Sequence, residues 1–145
     1  MPPDSSSPDP GASPKDLPDD LGGIADVLDI ELVETGPERV TATMPVTSKH
    51  HPPFGVLHGG VSVVLAESVA SVGAYLAAPE GCTAVGMEVN ANHIRSVRQG
   101  RLVAVATPHH TGRTTHVWEV KIRHEGETLV CVSRCTLAIV QDADE

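Results

Sequence analysis

The sequence predicts an α+β domain in which one long central helix is wrapped by an antiparallel β-sheet. A single stretch, Gly59 to about Pro79, is apolar on most of its faces, and such a helix must be buried on most sides. Strand-like alternation precedes it and accounts for everything after it. The connections between those strands are too short for parallel crossovers, so the strands should run antiparallel. The helix then needs the sheet as its second layer.

Taken in order, residues 1–20 hold six of the 12 prolines, four serines and five aspartates. That composition cannot bury enough apolar area to order itself, so a disordered tail is expected there. The folded domain should span residues 21–141, with an acidic end at residues 142–145. Leu21, Ile24 and Leu28 have helical spacing. Ile30 to Thr35 reads as a strand, Gly36-Pro37 as a turn, and Val40, Ala42, Met44 and Val46 as a second, alternating strand. The loop Thr47 to His58, stiffened by Pro52 and Pro53, leads to Gly59-Gly60 and the long helix. On that helix Glu67, Ser71 and Tyr75 stand at i, i+4 and i+8, one polar stripe. Beyond it, Val85, Met87, Val89 and Ala91 alternate, as do Leu102, Ala104 and Ala106. Trp118, Val120 and Ile122 face away from Val117, Glu119, Lys121 and Arg123. A hairpin turn at His124 to Glu127 leads into a last strand, Leu129 to Val140.

A length of 145 residues is enough for one core. Aromatics are only 2%, so that core must be built from Val, Leu, Ile and Ala. The net charge of −9 argues against nucleic acid as a partner, although most of the acidity belongs to the two ends. The N-terminus has neither the basic nor the apolar region of a secretory signal. The apolar helix carries Glu67 near its middle, which disfavours a membrane span. Cys82, Cys131 and Cys135 make no C-x-x-C. Cys131 and Cys135 on one strand would lie about 13 Å apart, too far for a disulfide. Reduced thiols and a cytoplasmic location are expected.

The chemistry concentrates in His50-His51-Pro52-Pro53-Phe54-Gly55-Val56-Leu57-His58-Gly59-Gly60 and the helix that follows. Two glycines at a helix start leave backbone N–H groups uncovered, and the helix dipole favours negative charge there. An oxyanion hole has these requirements. Glu67 is the only carboxylate between Glu38 and Glu80. In an apolar helix it should be desolvated, with a raised pKa suited to a general base. Gly59 and Glu67 are eight residues apart, about 12 Å along one helix. One carbonyl cannot lie within reach of both, so if both act on it they must come from different subunits of a two-fold dimer.

The segments H-G-G-V-S-V-V-L-A-E-S-V-A-S (His58 to Ser71) and G-M-E-V-N-A-N-H-I-R-S (Gly86 to Ser96) resemble the hotdog-fold acyl-CoA thioesterases. Within them the likeness is to the branch of the menaquinone-pathway 1,4-dihydroxy-2-naphthoyl-CoA thioesterases and enterobactin proofreading thioesterases, over roughly Leu21 to Val140. The resemblance implies hydrolysis of an acyl-CoA, here an aryl one, with no metal and no cofactor. It implies homodimers with shared sites, paired into homotetramers. It assigns the catalytic carboxylate to Glu67 and the oxyanion N–H to Gly59, with His58 and Ser71 assisting. In one respect the sequence departs from the branch, which often has a glutamine where Pro52 stands. Pro52 offers neither a side-chain donor nor an N–H. His51 or His58 must substitute, or Gly59 holds the carbonyl alone.

Contacts to the substrate and its CoA phosphates are expected from Gly60, His51, His93, Arg95, His110, Gly112 and Arg113. His93 and Arg95 alternate onto one face at a strand end, and His110, Gly112 and Arg113 fall in the next strand connection. Arginine beside backbone N–H groups suits phosphate. The eight histidines form no H-E-x-x-H and no zinc spacing, so no metal is expected. Two rivals remain open on the sequence: a hydroxyacyl-thioester dehydratase of the same fold, and a module that binds acyl-CoA without turnover.

Overall fold

A computed structural model describes residues 15–18 and 21–143. Its elements are α1 (Gly23–Val27), β1 (Glu31–Glu34), β2 (Val40–Val46), a short 3-10 turn (Ser48–His50), α2 (Gly59–Ala77), β3 (Cys82–His93), β4 (Gly100–Thr111), β5 (Thr115–His124) and β6 (Thr128–Gln141). The six strands form one sheet in the order β1-β2-β4-β5-β6-β3, and every neighbouring pair is antiparallel. Helix α2 packs on one face of it, against β2 through β6. The α+β arrangement expected from the sequence is the one observed.

Alternation explains the strands. In β2 the apolar residues Val40, Ala42, Met44 and Val46 are buried while their neighbours are half exposed. On β5 Trp118, Val120 and Ile122 are buried in the same way. Leu65, Ala66, Val69, Ala70 and Ala74 of α2 close the core over them. The only tryptophan sits directly beneath Gly73. A Cβ there would come within 2.5 Å of the indole carbons, so the glycine is what lets helix and sheet approach.

Three expectations need correction. Helix α2 is not buried on most sides. It covers the sheet with one face, while Val61, Val64, Glu67, Ser68, Ser71 and Tyr75 remain half exposed on the other. Thus α2 has the length and mean hydropathy (1.5) of a membrane span, yet it serves as the core helix of this sheet. His110 belongs to strand β4 rather than to the connection that follows it. Contacts of the folded body also begin before Leu21: Lys15 donates hydrogen bonds to the carbonyls of Tyr75 (2.9 Å) and Cys82 (2.6 Å). Residues 1–14, 19–20 and 144–145 of the expected tail and acidic end lie outside the described residues.

The sheet is unequal at its edges. β1 has four residues, whereas β3 is a 12-residue edge strand whose outer edge carries no partner strand among the described residues. Val85 and Met87 on β3 are 51% and 65% exposed. A bulge interrupts its pairing with β6 between Gly86 and Glu88, and bulges recur beside active sites.

Candidate active site

The start of α2 is built around His58. Its Nδ1 accepts the Gly60 N–H (2.9 Å), making His58 the side-chain N-cap. Its carbonyl accepts the Val61 N–H. Two first-turn donors are therefore taken within the chain, and the Gly59 N–H is the one offered outward. Of the N–H groups expected to be uncovered at the two glycines, that of Gly60 is held by His58. In neutral His58 the ring proton must then sit on Nε2, which leaves that nitrogen as a donor at the helix start.

Over Gly59 lies the imidazole of His93, from the end of β3. A Cβ on Gly59 would be 3.0 Å from His93 Nε2. Gly59, Ser62, His93, Ile94, Arg95 and Ser96 line a cleft of about 320 Å³ at this helix end. His93 and Arg95 thus do converge, and they do so at Gly59 itself. Ser62 was not singled out in the sequence. Its hydroxyl is buried in the wall of this cleft with no hydrogen-bond partner among the described residues. An apolar helix gives no signal for one inward serine.

Glu67 opens onto a different cleft. This one, of about 430 Å³, lies between α1 and α2. From α2 come Val64, Glu67, Ser71 and Val72, and from the N-terminal side Leu21 and Ile24. Glu67 is half exposed, so one chain alone does not bury it as expected. Its carboxylate lies against Gly86 of β3, where any Cβ would collide with Oε1. Gly86, which the sequence marked only as the start of a motif, thus lies against the candidate carboxylate. Beneath, the Cys135 thiol is pushed up to about 11 by burial, with Glu67 and Glu88 adding to the shift. It is an inert neighbour at neutral pH. All three cysteines are free, Cys131 and Cys135 buried and Cys82 half-buried.

Other residues chosen from the sequence stand apart. His51 Nε2 donates to the Arg98 carbonyl (2.9 Å), since a carbonyl can only accept. His50 is buried and fully used: Nδ1 accepts the Thr47 N–H, and Nε2 donates to the Leu28 carbonyl (2.8 Å). His110, Gly112 and Arg113 sit at the β4–β5 hairpin and line neither cleft. There the Gly112 N–H closes the turn on the Thr115 carbonyl, and His110 packs over Gly112.

The arrangement is two separate clefts along one helix. One presents a backbone N–H with histidine and arginine around it. The other presents a carboxylate against an apolar wall. Residues 54–131 match the family model of the thioesterase superfamily. The chain is 47% identical over 119 residues to a 1,4-dihydroxy-2-naphthoyl-CoA hydrolase of Escherichia coli, covering 82% of this chain and 88% of that one. It is 40% identical to a proofreading thioesterase of Cronobacter turicensis over 120 residues, 83% of this chain and 88% of the other. Among solved structures, a thioesterase of Haemophilus influenzae superposes with a TM-score of 0.81 at 45% identity, covering 86% of this chain and 87% of that one. With the helix, the antiparallel sheet and these likenesses in agreement, the chain belongs to the thioesterase superfamily, as a hotdog-fold thioester hydrolase.

Proposed function

We propose that this thioesterase hydrolyses aryl-CoA thioesters at sites shared between two subunits. Glu67 acts as the base or nucleophile and the Gly59 N–H as the oxyanion donor. The observation that carries the reading is the separation of the half-sites: Gly59 and Glu67 line different clefts of one unbroken helix. A second copy whose Glu67 faces this copy's Gly59 would complete both. The long edge of β3, with Val85 and Met87 exposed, suits pairing with a second copy. Pairing of such dimers into tetramers rests on family likeness.

In the base route, Glu67 takes a proton from water as the oxygen adds to the thioester carbonyl. The resulting oxyanion accepts the Gly59 N–H, aided by the helix dipole. When the carbon–sulfur bond breaks, the proton passes to the CoA thiolate, giving acid and free thiol. In the nucleophilic route Glu67 attacks the carbonyl, thiolate leaves, and water opens the acyl anhydride. Ser71, one turn beyond Glu67 in the same cleft, orients the carboxylate or the water. Of the candidates to replace the missing glutamine at Pro52, the geometry favours His58. Its Nε2–H is left available by the N-cap, whereas His51 is tied to Arg98. Arg95, beside His93 and Gly59, suits a phosphate of CoA. The roles of His110, Gly112 and Arg113 in CoA binding would require the partner subunit to bring a ligand to their hairpin.

The relatives named as 1,4-dihydroxy-2-naphthoyl-CoA hydrolases support an aryl acyl group and a place in menaquinone synthesis. Three free thiols and a CoA substrate fit a cytoplasmic setting. The deciding experiment is thiol release from a panel of aryl- and alkyl-CoA thioesters, with products identified. Hydroxylated aryl thioesters should be turned over best. A preference for saturated alkyl chains would overturn the aryl assignment, and an enoyl thioester product would point to the dehydratase chemistry of the same fold.

A further inference from the structure

The cleft beside Glu67 has an outer wall that does not come from the sheet or the long helix. It comes from Leu21 and from α1, a five-residue helix whose Ile24 side chain lines the cleft while 54% exposed. An apolar side chain so placed covers a surface next to the carboxylate without being part of the core. The two ends of α1 are held differently. At its C-terminal end Ala25 and Leu28 are buried, the Ala25 carbonyl accepts the Ile30 N–H, and the Leu28 carbonyl accepts His50 Nε2–H. At its N-terminal end stand Gly22 and Gly23 with φ of 68° and 53°. Two successive residues in the left-handed region are accessible to glycine and strained for nearly all others. The chain thus enters α1 through glycines and leaves it through a buried histidine clamp, and that path sets Ile24 against the cleft.

We propose that Ile24, with Leu21 behind it, is the specificity-determining wall of the acyl pocket: it sets which acyl groups fit between α1 and Glu67. The inference rests on Glu67 being the catalytic carboxylate. The occupant is the body of the acyl group, because whatever brings a carbonyl carbon to Glu67 must lay the rest of its acyl chain beside that carboxylate. Val64 and Val72 form the inner side of the slot and Ile24 the outer. A small acyl group does not reach Ile24. A flat aryl group does.

The test uses the full-length protein and Ile24→Trp, with Val27→Trp as the control. Val27 is on the same helix and 60% exposed but does not line the cleft. Hydrolysis of benzoyl-CoA and acetyl-CoA is compared, together with binding of the inert thioether phenacyl-CoA and of CoA itself. Ile24→Trp should lower kcat/KM for benzoyl-CoA about tenfold or more while acetyl-CoA changes less than about threefold, since steric discrimination in apolar pockets has this size. Phenacyl-CoA affinity should fall in parallel and CoA affinity should not. Equal losses on both thioesters, no change on either, or the same pattern from Val27→Trp would overturn the proposal. If the wild-type protein releases no thiol at all, the hydrolytic reading fails. Phenacyl-CoA binding still decides the wall: an affinity unchanged by Ile24→Trp overturns it, and a selective loss upholds it.

Discussion

The two clefts along α2 are built by opposite means. The Gly59 cleft gathers polar groups at a helix start that a hydrogen bond fixes: His58 caps the helix, and His93 and Arg95 come in from the end of β3. The Glu67 cleft is made of apolar side chains, with one carboxylate resting on Gly86 and a short helix for an outer wall. The first suits negative charge that develops during a reaction. The second suits an apolar acyl body and a group that moves a proton. Neither cleft holds both Gly59 and Glu67, although both lie along one rigid element. A helix can aim two kinds of chemistry, but its rise of about 1.5 Å per residue keeps them too far apart to meet in one chain.

The largest expected effect tests the second cleft. Glu67→Gln keeps size and polarity but can neither take a proton nor attack. Turnover should fall about 10²–10⁴-fold, the range for loss of a general base, with the fold intact by circular dichroism. Activity within threefold of wild type would remove Glu67 from the chemistry.

The next tests the first cleft and then the join between the two. Gly59→Val puts a branched side chain against His93 Nε2, 3.0 Å from the new Cβ, and across the approach to the N–H. A loss of about 10²–10³-fold is expected, as for removal of an oxyanion donor. Mixing this variant with Glu67→Gln sharpens the comparison. If sites are shared, a mixed dimer has one site with both defects and one with neither, so up to about a quarter of wild-type activity returns. Differently tagged chains that co-purify establish exchange. Exchange without recovery would show that Gly59 and Glu67 do not act on one carbonyl.

How much of this was legible beforehand differs between the clefts. Glu67 stood out because a carboxylate in an apolar helix contradicts its surroundings, and Gly59-Gly60 because glycines at a helix start do. The fold class was equally plain, since the alternating segments named β2 and β5 bury the residues their alternation selects. Spacing could not reveal the sheet order, which puts the long β3 at an edge, because pairing of β3 with β6 is set by tertiary contacts. For the same reason the contacts of Gly86 with Glu67 and of His93 with Gly59, and the placing of Ile24 in the Glu67 cleft, are invisible in the sequence. The helix was expected to be too deeply buried because its apolar faces were all assigned to this chain's own sheet. Half of them are left for something else.

Both clefts depend on how α2 sits on β5, and smaller perturbations there should affect them equally. Gly73→Ala forces a methyl group into the Trp118 ring, with the new Cβ 2.5 Å from two indole carbons. Overpacking of this kind costs about 1–3 kcal/mol. Chemical denaturation should register that loss, and the remaining folded enzyme should keep its aryl preference. Trp118 is held in turn by His116, whose Nδ1 accepts the indole N–H at 3.3 Å. Burial lowers the pKa of His116 below 6.5, and nearby His110 lowers it further. The unfolded chain therefore takes up this proton before the folded one does. Its contribution to stability is flat above about pH 6.5 and falls as pH drops below it, by at most about 1.4 kcal/mol per pH unit. The thermal midpoint of His116→Gln should accordingly fall less between pH 7 and 5.5 than that of the wild type. Equal slopes would mean that the proton is taken up elsewhere.

The smallest effect lies at the far end of α2, away from both clefts. Lys15 reaches the carbonyls of Tyr75 and Cys82, and its ammonium stands 4.4 Å from the Tyr75 ring centroid. It thereby serves one of the carbonyls that a helix leaves without a partner in its last turn, where the dipole also favours a cation. Opposing this, burial of the ammonium lowers the Lys15 pKa, so part of the gain is offset by lost hydration. The net worth should be near the ordinary value for a hydrogen bond, about 0.5–1.5 kcal/mol. In a chain of this size that is a few degrees of thermal midpoint. Deleting residues 1–14 should leave the midpoint unchanged, because the composition of that segment offers almost nothing to pack. Making Lys15→Ala should lower it by those few degrees, and deleting residues 1–18 by more, because Leu17 also packs against the core, with kcat/KM unaffected. The contact is on neither cleft, so a change in turnover would mean that the end of α2 and its middle are mechanically linked. An unchanged midpoint in both variants would show instead that the whole segment before Leu21 is dispensable, as its composition alone suggests.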